Sequence, residues 1–81
     1  MHVEVLLFAQ LRDLAGTDRL RLELGVGSNA QAALDAVLER HPALRAALPS
    51  LRLAVNEEFA DASRRLSPGD RLALIPPVSG G

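Results

Sequence analysis

Ser67-Pro68-Gly69-Asp70-Arg71-Leu72-Ala73-Leu74-Ile75-Pro76-Pro77-Val78-Ser79-Gly80-Gly81 is the stretch on which the reading of this 81-residue sequence turns. Its first four residues are turn formers: proline presets φ, glycine accepts a positive φ, and serine and aspartate bond the backbone locally. From Arg71 to Ile75 the pattern has period two, with Leu72 and Leu74 on one face and Arg71, Ala73 and Ile75 on the other. That predicts a strand. Pro76-Pro77 then removes two backbone donors, so the sheet must end there. The prolines stiffen the chain into an extended form that leads to Val78-Ser79-Gly80-Gly81, and no further helix or strand pattern covers that end.

Upstream, the chain supplies partners for this strand. His2 to Ala9 reads as a strand with Val3, Val5 and Leu7 on one face and His2, Glu4, Leu6 and Phe8 on the other. A loop is expected from Gln10 to Asp18. Arg19 to Leu24 alternates strictly, with Leu20, Leu22 and Leu24 inward. Ser28 followed three residues later by Gln31 has the form of a capping box, which predicts a helix from there to about Arg40. Ala30, Ala33, Leu34, Val37, Leu38 and His41 form its apolar stripe, and Pro42 stops it. Pro42 to Pro49 is a connector, an irregular turn or short helix. Leu51, Leu53 and Val55 alternate with Arg52 and Ala54 in another strand, followed by a polar turn at Asn56-Glu57-Glu58 and a short strand near Phe59-Ala60.

The order β-β-α-β-(β)-β implies an α+β domain, a mixed sheet with one helix packed across it. Right-handed crossover rules put the last strand in the middle, parallel to the first. One domain is expected through residue 77, followed by a tail over residues 78–81. A chain of this size buries only about 60–65% of the surface it would expose unfolded, which leaves little room for an internal active-site cavity.

Composition narrows the function classes. Nine basic and ten acidic residues give a formal net charge of −1, so nothing draws the chain to nucleic acid or to an anionic membrane. No apolar run reaches the roughly 20 residues that span a bilayer, and Met1-His2-Val3-Glu4 lacks the basic start of a signal peptide, so a cytoplasmic address is expected. Cysteine is absent, which excludes disulfides, thiolate metal ligands and a cysteine nucleophile. All nine basic residues are arginine, so no lysine side chain could capture an activated carboxyl group, although base composition alone also explains that bias.

Phosphate-loop, dinucleotide, HExxH and GxSxG motifs are missing. His2 and His41 have no spacing that pairs them as metal ligands, and a helix-terminal role accounts for His41. Adjacent Glu57 and Glu58 point apart and read as a solvated turn. A self-contained enzyme is therefore not expected, and neither a bound cofactor nor a metal.

Chemistry remains possible at the Gly-Gly end. Without a Cβ, Gly80-Gly81 is the thinnest peptide available, able to enter a narrow channel in another protein. Its α-carboxylate, with a pKa of about 3.5, is ionised at neutral pH and a poor electrophile, so it needs activation. An ATP-using partner could make an acyl-adenylate, and a sulfur nucleophile could then give a thiocarboxylate. A frayed terminus is the commoner fate of chain ends, but the proline brace and the abrupt halt after a buried strand favour use. The outward sheet face adds a second sign. Leu6 and Phe8 would lie beside Ala73 and Ile75 with Arg52 and Arg71 at the border, a composition suited to docking, although isolated exposed apolar residues are common.

Leu7-Phe8-Ala9-Gln10-Leu11-Arg12, Val55-Asn56 and the run from Gly69 to Gly81 together resemble the MoaD-type small subunits of molybdopterin synthase. The resemblance spans the chain. The closing PPVSGG run is specific to that group, whereas Gly-Gly alone is shared with ThiS-type carriers and ubiquitin. It implies a ubiquitin-like β-grasp with four to five strands and one main helix. It also implies that Gly81 is adenylated by a MoeB-type enzyme resembling the ubiquitin-activating class, which consumes ATP, and is then converted to a thiocarboxylate. The sulfur would go to cyclic pyranopterin monophosphate inside a MoaE-type large subunit, in a heterotetramer, with Gly80 giving access. Phe8 matches an aromatic position of the family's partner-facing surface and Phe59 an apolar one, while Ile75 stands where phenylalanine is frequent. Docking contacts are expected from Leu6, Phe8, Phe59, Arg71 and Ile75, and from Pro76, Pro77, Val78 and Ser79. A protein modifier, a carrier for thiazole or transfer-RNA thiolation, and an interaction module with an inert tail are the competing readings.

Overall fold

The computed structural model describes residues 1–76, apart from the side chains of residues 48 and 49; the expected domain boundary at residue 77 and the tail over 78–81 lie outside the described residues. In chain order the elements are β1 (His2–Leu7), α1 (Gln10–Ala15), β2 (Arg19–Glu23), α2 (Ala30–Arg40), a 3-10 segment (Pro42–Ser50), β3 (Arg52–Val55), β4 (Glu58–Ala60) and β5 (Arg71–Ile75). The strands form a five-stranded sheet in the order β2-β1-β5-β3-β4. β5 is central and parallel to β1, as the crossover rule requires, and the remaining pairs are antiparallel.

Period-two patterning sets which face each strand buries. Val3, Val5 and Leu7 of β1, Leu20 and Leu22 of β2, Leu53 and Val55 of β3, and Leu72 and Leu74 of β5 all enter the core. Across from them α2 contributes Ala30, Ala33, Leu34, Val37 and Leu38, spaced to fall on one face. The 3-10 segment adds Leu44, which is fully buried. Among the described residues no buried side-chain polar atom lacks a partner, and no helix is long and apolar enough to cross a membrane.

Two local expectations are corrected. The stretch expected as loop between β1 and β2 contains helix α1, which sinks Leu11 completely into the core and ends at Gly16 in the left-handed region, φ 75°, where its N–H reaches the Arg12 carbonyl at 2.9 Å. The N-cap of α2 is Asn29 rather than Ser28: its side-chain oxygen accepts from the Ala32 N–H at 3.0 Å. Gln31, instead of closing a capping box, donates to Asp35 one turn on at 2.9 Å. The first free amides of α2 find other acceptors. Ala30 N–H reaches the Arg64 carbonyl at 2.8 Å and Gln31 N–H the Ala62 carbonyl at 2.9 Å, so the loop between β4 and β5 caps the helix.

Candidate functional site

Side chains that point away from the core form one continuous outer face. In β5 these are Arg71, Ala73 and Ile75; register sets Leu6 of β1 opposite Ala73, and on the other side Arg52 opposite Ile75 and Ala54 opposite Ala73. Phe59 of β4 is opposite Ala54. Small residues at 54 and 73 leave a trough between larger neighbours. The result is an open concavity of about 640 Å³ lined by Leu6, Phe8, Ala54, Phe59, Ala73 and Ile75, with Asn56, Glu57, Gly69 and Arg71 along it.

Both phenylalanines are displayed rather than buried: Phe59 is 69% exposed and Phe8 46%. Two exposed aromatics beside one apolar trough have the composition expected of a docking face. The volume would hold a small ligand, but the trough is an unroofed sheet face. Its one amide, Asn56, is spent on the chain's own backbone and on Asp70.

The polar end of the trough is held by that amide. The β3–β4 turn runs through Asn56 and Glu57, both at positive φ (50° and 72°), as a two-residue hairpin loop requires. Asparagine tolerates this conformation; glutamate adopts it at a cost. Asn56 repays the turn with three contacts: its N–H donates to the Arg71 carbonyl at 2.8 Å, its side-chain oxygen accepts from Arg71 N–H at 3.0 Å, and its amide donates to Asp70 at 2.9 Å. The other Asp70 oxygen accepts from Ser67 N–H at 2.7 Å, closing the turn in which Gly69 sits at φ 83°. The hairpin and the entry to β5 are thereby tied together.

Charge is distributed unevenly along the rim. Glu4 lies between Arg19, at 3.8 Å, and Arg71, at 3.9 Å, so that end is internally compensated. Arg52, beside the exit of β5, instead stacks over the Phe59 ring with its guanidinium carbon 5.1 Å from the centroid. Asp61, which follows β4, accepts from the Ser63 hydroxyl and from Ser63 N–H at 2.8 Å; these bonds hold its carboxyl below the usual aspartate value.

Of the residues expected from sequence to dock a partner, Leu6, Phe8, Phe59, Arg71 and Ile75 are brought together in this trough. Pro76 directly follows β5 and is buried. Pro77, Val78, Ser79, Gly80 and Gly81 lie outside the described residues. Sequence reasoning missed Ala54, the small floor residue, and the clamp role of Asn56. The first was legible only from its two neighbours in register, and the second from asparagine at a two-residue turn. His2 lies far along β1, its ring nitrogen 2.7 Å from Glu23, and His41 caps α2; among the described residues no cluster of three His, Asp or Glu side chains is arranged to hold a metal.

The ThiS family profile matches residues 5–81. A molybdopterin synthase sulfur carrier subunit from Arabidopsis thaliana is 40% identical, over 100% of this chain and 84% of its own. The crystal structure of small archaeal modifier protein 1 from Haloferax volcanii, 34% identical, superposes with a TM-score of 0.93 and covers 100% of both chains. A chain from the protein–protein complex of subunits 1 and 2 of the molybdopterin-converting factor of Helicobacter pylori, 28% identical, gives a TM-score of 0.72, again over 100% of both.

Proposed function

This chain belongs to the ThiS family, a ubiquitin-like β-grasp group, and from that premise we propose that it is the sulfur carrier subunit of a molybdopterin synthase. The observation that carries the reading is positional. The apolar trough with its two exposed phenylalanines flanks β5, the strand that runs straight into Pro76-Pro77-Val78-Ser79-Gly80-Gly81. A partner that seats on the trough receives whatever follows the strand. Full-length similarity to a sulfur carrier subunit supplies the chemistry.

In the proposed cycle an adenylating enzyme binds the trough, and the Gly81 carboxylate attacks the α-phosphate of ATP, releasing pyrophosphate and leaving an acyl-adenylate. A persulfide on a partner protein then attacks the acyl carbon and displaces AMP to give an acyl disulfide, and a thiol cleaves its S–S bond, leaving the thiocarboxylate and a disulfide between the thiol and the partner's sulfur. The sulfur comes from outside because the chain has no cysteine. In the large synthase subunit the thiocarboxylate sulfur forms a bond to a side-chain carbon of cyclic pyranopterin monophosphate as that carbon's bond to an oxygen substituent breaks and the oxygen leaves. Water then cleaves the acyl–sulfur bond, returning the Gly81 carboxylate and leaving sulfur on the pterin. Two donations complete the dithiolene, and two carriers serve a heterotetramer. This chain binds no cofactor in that cycle; its body docks and its glycines give access. A cytoplasmic location belongs to the same reading and is compatible with ATP use by the partner.

Intact-mass analysis of protein from the native host tests this directly: a fraction should carry one oxygen replaced by sulfur at Gly81. Molybdopterin formation by a reconstituted synthase after deletion of Gly81 would refute it. A second reading, protein modification, is favoured by the TM-score of 0.93 to small archaeal modifier protein 1, and thiazole or transfer-RNA thiolation would use the same activated terminus. Covalent adducts between Gly81 and target lysines would favour conjugation, and co-purification with a large synthase subunit would favour carriage.

A further inference from the structure

We infer that Arg52, held over the Phe59 ring, is a specificity-determining residue that reads a carboxylate on the partner at the mouth of the channel that takes the tail. The inference rests on the sulfur-carrier reading and adds what the partner must present.

Position comes first. Register puts the backbone of Arg52 opposite Ile75, the last residue of β5, while its guanidinium reaches the other way, over Phe59 on β4, at the end of the sheet where β5 exits and away from the polar groups at the far end of the trough. Phe59 lines the trough on one side and a neighbouring concavity on the other, together with Arg52, so it forms the ridge between them. Arg52 lies against that ridge from the side of the neighbouring concavity. A protein seated on the trough with the tail inside it has its channel rim at this place.

Charge comes second. Among the described residues Arg19 and Arg71 share Glu4, whereas Arg52 has no carboxylate within 4.0 Å. The nearby acid that lines the same concavity, Asp61, turns one oxygen, Oδ1, onto the Ser63 hydroxyl and N–H and stands outside ion-pair distance of Arg52. Among the described residues, Arg52 is thus a cation in contact with an aromatic face and with no carboxylate. Contact with the ring restricts the side chain and lowers the entropy lost when it pairs with a carboxylate, and a planar fork matches that acceptor bidentately. An apolar surface bearing one acidic side chain is the complement.

Reach argues the same way. Six residues, 76 to 81, separate Ile75 from the reacting carboxyl group, a span of up to about 20 Å when extended. In a docked state with the tail extended into the partner, Arg52 would meet the partner's surface and not the adenylate or the thiocarboxylate.

The test uses the full-length chain and the recombinant large synthase subunit from the same organism, with affinity measured by titration calorimetry between about 50 mM and about 500 mM NaCl. At low salt Arg52→Gln should weaken binding by about tenfold, with the gap to wild type closing as salt rises, and Arg52→Lys should recover only part of the loss. Unchanged thermal melting of the variants verifies the fold. Wild-type affinity for Arg52→Gln at every salt concentration would overturn the inference, as would a loss independent of salt, which assigns Arg52 to shielding Phe59. Failure of the wild-type chain to bind the large subunit would overturn the sulfur-carrier reading along with it, so the two failures are told apart.

Discussion

The same strands present two faces that differ in everything but backbone. On the inner face of β5, Leu72 and Leu74 are fully buried, while one residue along in each case Ala73 and Ile75 remain half-buried on the outer face. Inner positions carry only aliphatic side chains; outer ones alternate small residues, exposed aromatics and arginines. Burial by the chain's own helix explains the first set. The second set is little covered by the chain itself, which is what the proposed docking role would require of it.

That contrast breaks most readily on stability. Leu74→Ala removes atoms from a close-packed, fully buried site and should cost about 3 kcal/mol, read from denaturant unfolding. A loss under about 1 kcal/mol would mean that the inner face is looser than its burial implies.

Next in size is the opposite experiment on the outer face. Phe59→Ala should shift stability by less than about 0.5 kcal/mol, since the side chain is mostly exposed, yet weaken binding of the large subunit by about 2 kcal/mol. Calorimetric titration and thermal unfolding of one preparation measure both. A variant that unfolds early but binds normally would reverse the assignment of the faces.

Ala9 sharpens the border between them. It follows Phe8, precedes α1, and adopts φ 51°, ψ −126°, a region that suits glycine. Ala9→Gly relieves that strain but loosens the unfolded chain, and the first effect is the larger. The variant should unfold about 1 kcal/mol later in denaturant. No gain would show that the turn presenting Phe8 is unstrained.

Strand periodicity made the sheet legible before any coordinates: β5 has its expected bounds, and alternation alone assigned Leu6, Phe8, Arg71 and Ile75 to one face. Helix α1 was not legible, because six residues hold less than two turns and Ala9 carries no capping side chain to announce it. Ser28 imitated a cap because Ser-x-x-Gln has the right spacing; Asn29 won because the loop from β4 to β5 reaches the next two amides only when the helix starts at Ala30. The stack of Arg52 on Phe59 was hidden for a different reason: it depends on the β3–β4 register, and that is set by a turn with two positive-φ residues, one of them the glutamate of which sequence gives no warning.

The smallest expected effect concerns the same corner, at Asp61. Bonds from the Ser63 hydroxyl and N–H favour its charged form and lower its pKa in the folded state relative to the ordinary 3.8. A group whose pKa is lowered by folding stabilises the native state above the unfolded value and loses that contribution as pH falls through the folded value. Asp61→Asn should therefore be slightly less stable than wild type at about pH 6, and the difference should shrink as pH falls below 3.8 and through the lowered folded-state pKa, where the wild-type carboxyl is itself protonated. Thermal unfolding of both proteins across that range measures it. A gap that stays constant or widens on acidification would show that the carboxylate charge contributes nothing there, and would return Asp61 to the set of acids free to pair with Arg52.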